Sequence, residues 1–137
     1  MAQLIDSSVF IGLERRGLSL EHLLLLTRDD QAAISTISAS ELLVGLHRSN
    51  SLERYERREE FIEGVLNTLP VIPVDLVAAR SHARLAADMT KAGNIIAAHD
   101  LLIGATALAH GYEVLTDNVR DFERVPGLIV NRPTWPK

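Results

Sequence analysis

Cysteine is absent from the chain, so it offers no disulfide framework, thiolate metal site or cysteine nucleophile, and nothing in it demands an oxidising compartment. Lysine is nearly absent: only Lys91 and Lys137 occur, and the other positive charges are arginines, whose planar guanidinium groups contact phosphate or carboxylate in a bidentate way. Aromatic residues make up 4% of the chain, too few to advertise a surface for stacking bases. The longest apolar run near the N-terminus, Leu23 to Leu26, is flanked by Glu21, His22 and Arg28 and falls far short of a signal segment or a membrane span. Together these absences predict a cytoplasmic protein with no membrane partner.

What is present fits one folded domain over residues 1–137, with 47% hydrophobic and 23% charged residues. The formal net charge of -4 excludes a chain drawn onto nucleic acid by its overall field. Short apolar runs alternate with helix-period segments. Strands are expected at Gln3 to Ile5, Ala32 to Ile37, Val71 to Val74, Tyr112 to Thr116 and Leu128 to Val130, with Pro73 tolerable only at a sheet edge or bulge. Helices are expected at Val9 to Arg15, Leu20 to Arg28, Ala39 to His47, an amphipathic stretch from Leu52 to Leu69, Leu76 to Ala92, and Ala98 to His110 closed by Gly111. That alternation predicts βαβ units, a mostly parallel sheet of four or five strands, and ligands beyond the carboxyl ends of those strands.

Four acids fall at such ends. Asp6 closes the first strand, Glu41 follows the second, Asp100 opens the "DLLIG" helix and Asp117 follows "YEVLT". Each has an ordinary reading. Asp6 before two serines is a candidate helix cap; Ser38 to Glu41 has capping-box spacing; Asp100 complements a helix dipole; Asp117 with Asn118 suits a turn. Four independent caps, however, need not converge on one edge of one sheet. Carboxylates brought together are tolerable at neutral pH if a dication offsets their repulsion, and with oxygen donors alone the expected ion is Mg²⁺ or Mn²⁺ rather than zinc. Such a site suits hydrolysis of a phosphodiester.

Other constellations are weaker. A haloacid-dehalogenase-type phosphatase would want a second acid where Ser8 stands, and a receiver domain a lysine that the chain lacks. The five histidines show no H-x-x-x-H pair, and the sequence contains no Gly-rich phosphate loop. Arg54, Arg57 and Arg58 interleave with glutamates as a solvated helix face with i,i+4 pairs. Arg15 and Arg16 are better placed to meet substrate phosphates, with Arg120 and Arg124 on the same rim. Trp135 is expected to pack the tail on its own domain or to help a contact with a second copy or a partner protein.

The stretches "LIDSSVFI", "SASELLVGL" and "AAHDLLIGATALAHGYEVLTDNVRDFERVPGL", in that order, resemble the PIN-domain ribonucleases, in particular the VapC toxins of bacterial toxin–antitoxin modules. The resemblance covers essentially the whole chain. It implies a three-layer α/β/α fold, Mg²⁺ or Mn²⁺ dependence, endonucleolytic cleavage of RNA, a cognate antitoxin as partner and a homodimer. Carried over by residue, it makes Asp6, Glu41 and Asp100 the metal ligands, Ser8 the small polar residue that holds the first acid or a substrate phosphate, and Thr116 the hydroxyl at the end of the fourth strand. Many relatives place an acid or Asn two residues after that threonine and another acid before an aromatic, which are here Asn118 and Asp121. Asp117 is expected nearest the metal pocket as the fourth catalytic acid, with Asp121 as its rival. The competing functions are a non-catalytic PIN-like module that binds RNA or protein, and a nuclease on DNA or flap substrates.

Overall fold

The computed structural model describes residues 2–27 and 31–136, apart from the side chain of Leu24. Apolar residues on both sides of short strands dictate a sheet covered on both faces. Strands β1 (Gln3–Ile5), β2 (Ala32–Ser35), β3 (Val71–Ile72), β4 (Glu113–Leu115) and β5 (Val130–Asn131) form one sheet in the order β3-β2-β1-β4-β5, and every neighbouring pair is parallel. Alternation along each strand sends Ile5, Ile34 and Leu115 into one layer and Leu4, Ala33 and Val114 into the other.

The first layer holds α1 (Ser7–Arg15), α2 (His22–Thr27), α3 (Thr36–His47) and α4 (Leu52–Thr68), packed through Phe10, Leu13, Leu42, Ile62 and Val65. The second holds α5 (Leu76–Lys91), α6 (Ala98–His110) and the short α7 (Val119–Phe122), packed through Ile103, Ala107 and Phe122, with Met89, Leu101 and Val125 beside them. No helix among the described residues is long and apolar enough to cross a membrane.

The expected α/β/α architecture is therefore observed, with five strands. The edge position of β3 explains how Pro73 is accommodated: the strand stops at Ile72, before the residue that lacks an N–H. Helix α6 has the expected bounds, closed by Gly111 at φ 74°, where a left-handed residue is required. The expected end of the second helix, Arg28, lies outside the described residues.

The largest difference falls between β2 and α3. The run Ala32 to Ile37 reads as a strand, but the helix has already begun at Thr36, because Ser35 caps it: the Ser35 hydroxyl accepts from the Ser38 N–H at 3.0 Å. Ser35 is fully buried, so its loss leaves a helix-end N–H without either a side-chain or a water partner. Ser35→Ala is expected to lower unfolding free energy by about 1–2 kcal/mol, measured by chemical denaturation.

Candidate active site at the switch point of the sheet

From the central strand β1 the chain winds outward to β2 and β3, and it later returns to lay β4 and β5 on the other side. The order reverses between β1 and β4, so the crevice for a ligand opens at their carboxyl ends. Asp6 follows β1 and Thr116 follows β4, and the Asp6 N–H extends the pairing by donating to the Leu115 carbonyl at 2.9 Å.

Asp6 is 2% exposed, and a carboxylate that deep requires partners. Two hydroxyls supply them: Ser8 donates to Asp6 Oδ2 at 2.7 Å and Thr116 donates to the same oxygen at 2.9 Å. With both protons committed there, the 3.3 Å approach of Ser8 to Thr116 is a contact rather than a third bond. Both hydroxyls are oriented in turn, since Ser8 accepts from the Asp117 N–H at 3.1 Å and Thr116 from the Asn118 N–H at 2.9 Å. Asp6 precedes α1 but its side chain makes no capping bond, so the helix-cap reading does not account for it.

Glu41 likewise escapes its ordinary reading. Ser35, not Ser38, begins α3, which moves Glu41 into the second turn and out of reach of a capping box. There its Oε1 accepts from the Ser7 hydroxyl at 3.1 Å, while Oε2 lies 3.5 Å from His99 Nδ1. In the sequence His99 adjoins Asp100, where it could touch substrate although a solvated helix start is its commoner role, and Ser7 carries no signal beyond its place beside Asp6.

Asp100 stands in the first turn of α6. Burial above all, then the charges of Asp6, Glu41 and Asp121, push its carboxyl up from 3.8 to about 6, with His99 opposing. Carboxylates from the end of β1, from α3 and from α7 thus act on Asp100 across the crevice. Among the described residues no three acid or histidine side chains close on a common point as a ligand set. The donors are nevertheless all oxygen, and their mutual repulsion is the kind a hard dication relieves.

Asp117 is the acid expected nearest the pocket, with Asp121 as its rival, and the two have different partners. The carboxylates acting on Asp100 are those of Asp6, Glu41 and Asp121, whereas the Asp117 Oδ1 accepts from the Trp135 indole at 3.0 Å. The reason is geometric: Asp117 belongs to the turn leaving β4, against which the C-terminal tail returns, whereas α7 carries Asp121. Asn118 contributes its backbone N–H to Thr116.

The arginines divide. Arg16 stacks its guanidinium 3.9 Å from the centroid of the Trp135 ring and donates to the Gly12 carbonyl at 3.2 Å. Arg15 is exposed and lines a cavity of about 200 Å³ with Phe10, Ile11, Glu41 and Phe61. Arg124 donates to the Ile95 carbonyl at 2.7 Å, and Arg120 is exposed. Of the α4 arginines, Arg57 pairs with Glu53 as an i,i+4 surface pair at 2.7 Å, but Arg58 crosses to Glu14 of α1 at 3.2 Å and to the Gly45 carbonyl of α3.

This arrangement has known counterparts. The PIN-domain family model matches residues 4–128. Ribonuclease VapC1 of Rickettsia felis is 38% identical over 130 residues, 95% of each chain. The tRNA(fMet)-specific endonuclease VapC of Salmonella typhimurium is 33% identical over 95 residues, covering 69% of this chain and 70% of that one. Among solved structures, a chain of VapBC2 from Rickettsia felis, bound to a DNA fragment from its promoter, superposes with a TM-score of 0.85 at 25% identity, covering 99% of this chain and all of that one. A chain of DNA-bound VapBC from Salmonella typhimurium gives 0.84 at 26% identity, over 96% of this chain and 98% of that one. The fold, the crevice and these likenesses agree: the chain belongs to the PIN-domain family, among its VapC ribonucleases.

Proposed function

We propose that this chain is an endoribonuclease toxin of the cytoplasm that hydrolyses RNA phosphodiesters with Mg²⁺ or Mn²⁺ and is restrained by a cognate antitoxin. Asp6, Glu41 and Asp100 would hold the ion, and Asp121 rather than Asp117 would be the fourth acid. The observation that carries the reading is the buried Asp6, fixed by two hydroxyls and facing three further carboxylates across a sheet crevice. A divalent ion in such a pocket supplies an acidified water and offsets charge on the scissile phosphate.

The chain's own residues do the rest. Ser8 and Thr116 fix Asp6 in one orientation, so that no reorganisation is needed when substrate arrives. Ser7 and His99 hold Glu41 from either side, and His99, exposed at the rim, is placed to meet a substrate oxygen. Arg15 offers a guanidinium to a flanking phosphate. An antitoxin partner is supported by the apolar lining of the cavity between α1, α3 and α4, which reaches Glu41 and so gives a partner's side chain a seat beside the site. The substrate named for the Salmonella relative makes tRNA the first RNA to try.

The test is cleavage of a labelled RNA pool with Mg²⁺ or Mn²⁺, alongside Asp6→Asn and a chelator, together with growth after expression of each form. Products from the parent alone, and growth arrest that Asp6→Asn abolishes, are expected. Equal cleavage by Asp6→Asn would remove the site assignment, and a parent that binds RNA without cutting it would favour a non-catalytic module.

A further inference from the structure

Trp135 brings the C-terminal tail back against α1 and the turn after β4. Trp135 lies with its ring against Gly12 of α1, so close that a Cβ at position 12 would stand 2.6 Å from the ring, and the Arg16 guanidinium covers the ring at 3.9 Å. Its indole N–H is spent on Asp117. Beyond Asp117 the bonds run without a gap: the Asp117 N–H donates to Ser8 Oγ, and Ser8 Oγ donates to Asp6 Oδ2.

We propose that Trp135 is a positioning residue for Asp6: by clamping the turn after β4 through Asp117, it fixes the Ser8 hydroxyl with its proton directed at Asp6. Ser8 has one proton and can rotate, and the Asp117 N–H, by occupying a lone pair, leaves the proton aimed at Asp6. The N–H can do so only while residue 117 stays where it is. Among the described residues the bond to Trp135 is what holds the Asp117 side chain, and Gly12 and Arg16 fix Trp135. The same turn carries Asn118, whose N–H orients Thr116, the second donor to Asp6. One indole therefore stands behind both hydroxyls. It also keeps the Asp117 carboxylate engaged outside the group of acids that act on Asp100.

This inference rests on the metal-site reading above, and its test separates the two. Trp135 is the only tryptophan in the chain, so its emission reports on the clamp without labelling. Mn²⁺ is titrated into the full chain, followed by calorimetry and by indole fluorescence, with thermal melting of each metal-free variant recorded in parallel. In the parent the emission is expected to change with the same midpoint as the heat. Trp135→Phe, which keeps a ring but loses the donor, and Asp117→Ala are each expected to weaken Mn²⁺ binding by about fivefold. The double variant should be no weaker than either single one, as for two halves of one interaction. Asp117→Asn, whose amide oxygen still accepts, should lose less than Asp117→Ala. Should Trp135→Phe melt out, Gly12→Ala displaces the ring with Trp135 and Asp117 both intact, and it too should weaken Mn²⁺ binding.

Parental affinity in folded Trp135→Phe and Asp117→Ala, or losses that add as independent effects, would overturn the clamp while leaving the metal site standing. A parent that binds no Mn²⁺ in the calorimeter would overturn the metal reading, and the clamp with it.

Discussion

Asp100→Asn is expected to reduce RNA cleavage by about a thousandfold or more and, in the same protein, to raise the melting temperature of the metal-free fold at pH 7.5. The two effects have one cause. The Asp100 carboxyl is held at about 6 by burial and by the charges of Asp6, Glu41 and Asp121, whereas the unfolded chain releases that proton near 3.8. Between those values the folded state holds the proton more tightly than the unfolded state, so stability falls as pH rises through that window, and the whole penalty is present above about pH 6. Because Asp100 is only half-buried, solvent screening leaves a penalty of about 1 kcal/mol, or roughly 3 °C in a domain of this size. Asparagine removes it. The gain should be seen in chelator at pH 7.5 and should vanish near pH 4, where the parent is protonated as well. Adding Mn²⁺ should reverse the ranking, since only the parent would be stabilised by a ligand of its folded state. A variant that loses activity without gaining apo stability would mean that the charges on Asp100 are already relieved in solution.

The second large effect separates two acids that stand four residues apart. Asp121→Asn is expected to cut cleavage by about a hundredfold, and Asp117→Asn by less than about tenfold. Asp121 adds its charge to the field on Asp100, whereas Asp117 spends Oδ1 on an indole N–H that an asparagine oxygen can still accept. Cleavage rates on one RNA at saturating Mn²⁺ decide it. The reverse order would return the fourth place to Asp117.

That choice marks the limit of what the sequence made legible. The switch-point geometry followed from the alternation of apolar runs and helix-period segments, and so did the placing of Asp6 and Asp100, each within two residues of an element boundary, whereas Glu41 reaches the crevice from the second turn of α3. Helix α6 was legible to the residue because its signals are local: a periodic apolar face and a glycine just past its end. The boundary at β2 was not, since Ala32 to Ile37 mixes small, apolar and β-branched residues that suit a strand, and only the burial of Ser35 reveals which serine begins α3. Helix α7, with four residues, is too short to show a period. Asp117 and Asp121 are separated by a bond from Trp135, contributed by a tail that no periodicity connects to the turn after β4. Arg58 is similar: the glutamates interleaved around it predict a solvated face, and only packing reveals that it bridges to Glu14 and to the Gly45 carbonyl.

The central position of β1 also sets a timetable for synthesis. One of its neighbours, β2, emerges from the ribosome soon after it; the other, β4, begins at Glu113, 110 residues after its register partner Gln3. Until β4 arrives, Leu4 has one open flank, and Asp6 lacks the Thr116 hydroxyl that the finished molecule gives it. Loop closure over so long a stretch is the slow step in a parallel sheet. An incomplete chain released before that point would carry three of the four acids yet lack β4, the Thr116 hydroxyl and α7 that complete the site. Whatever such fragments expose to proteases, they should be harmless to RNA, and the hazard of making this protein is deferred until β4 and α7 are in place.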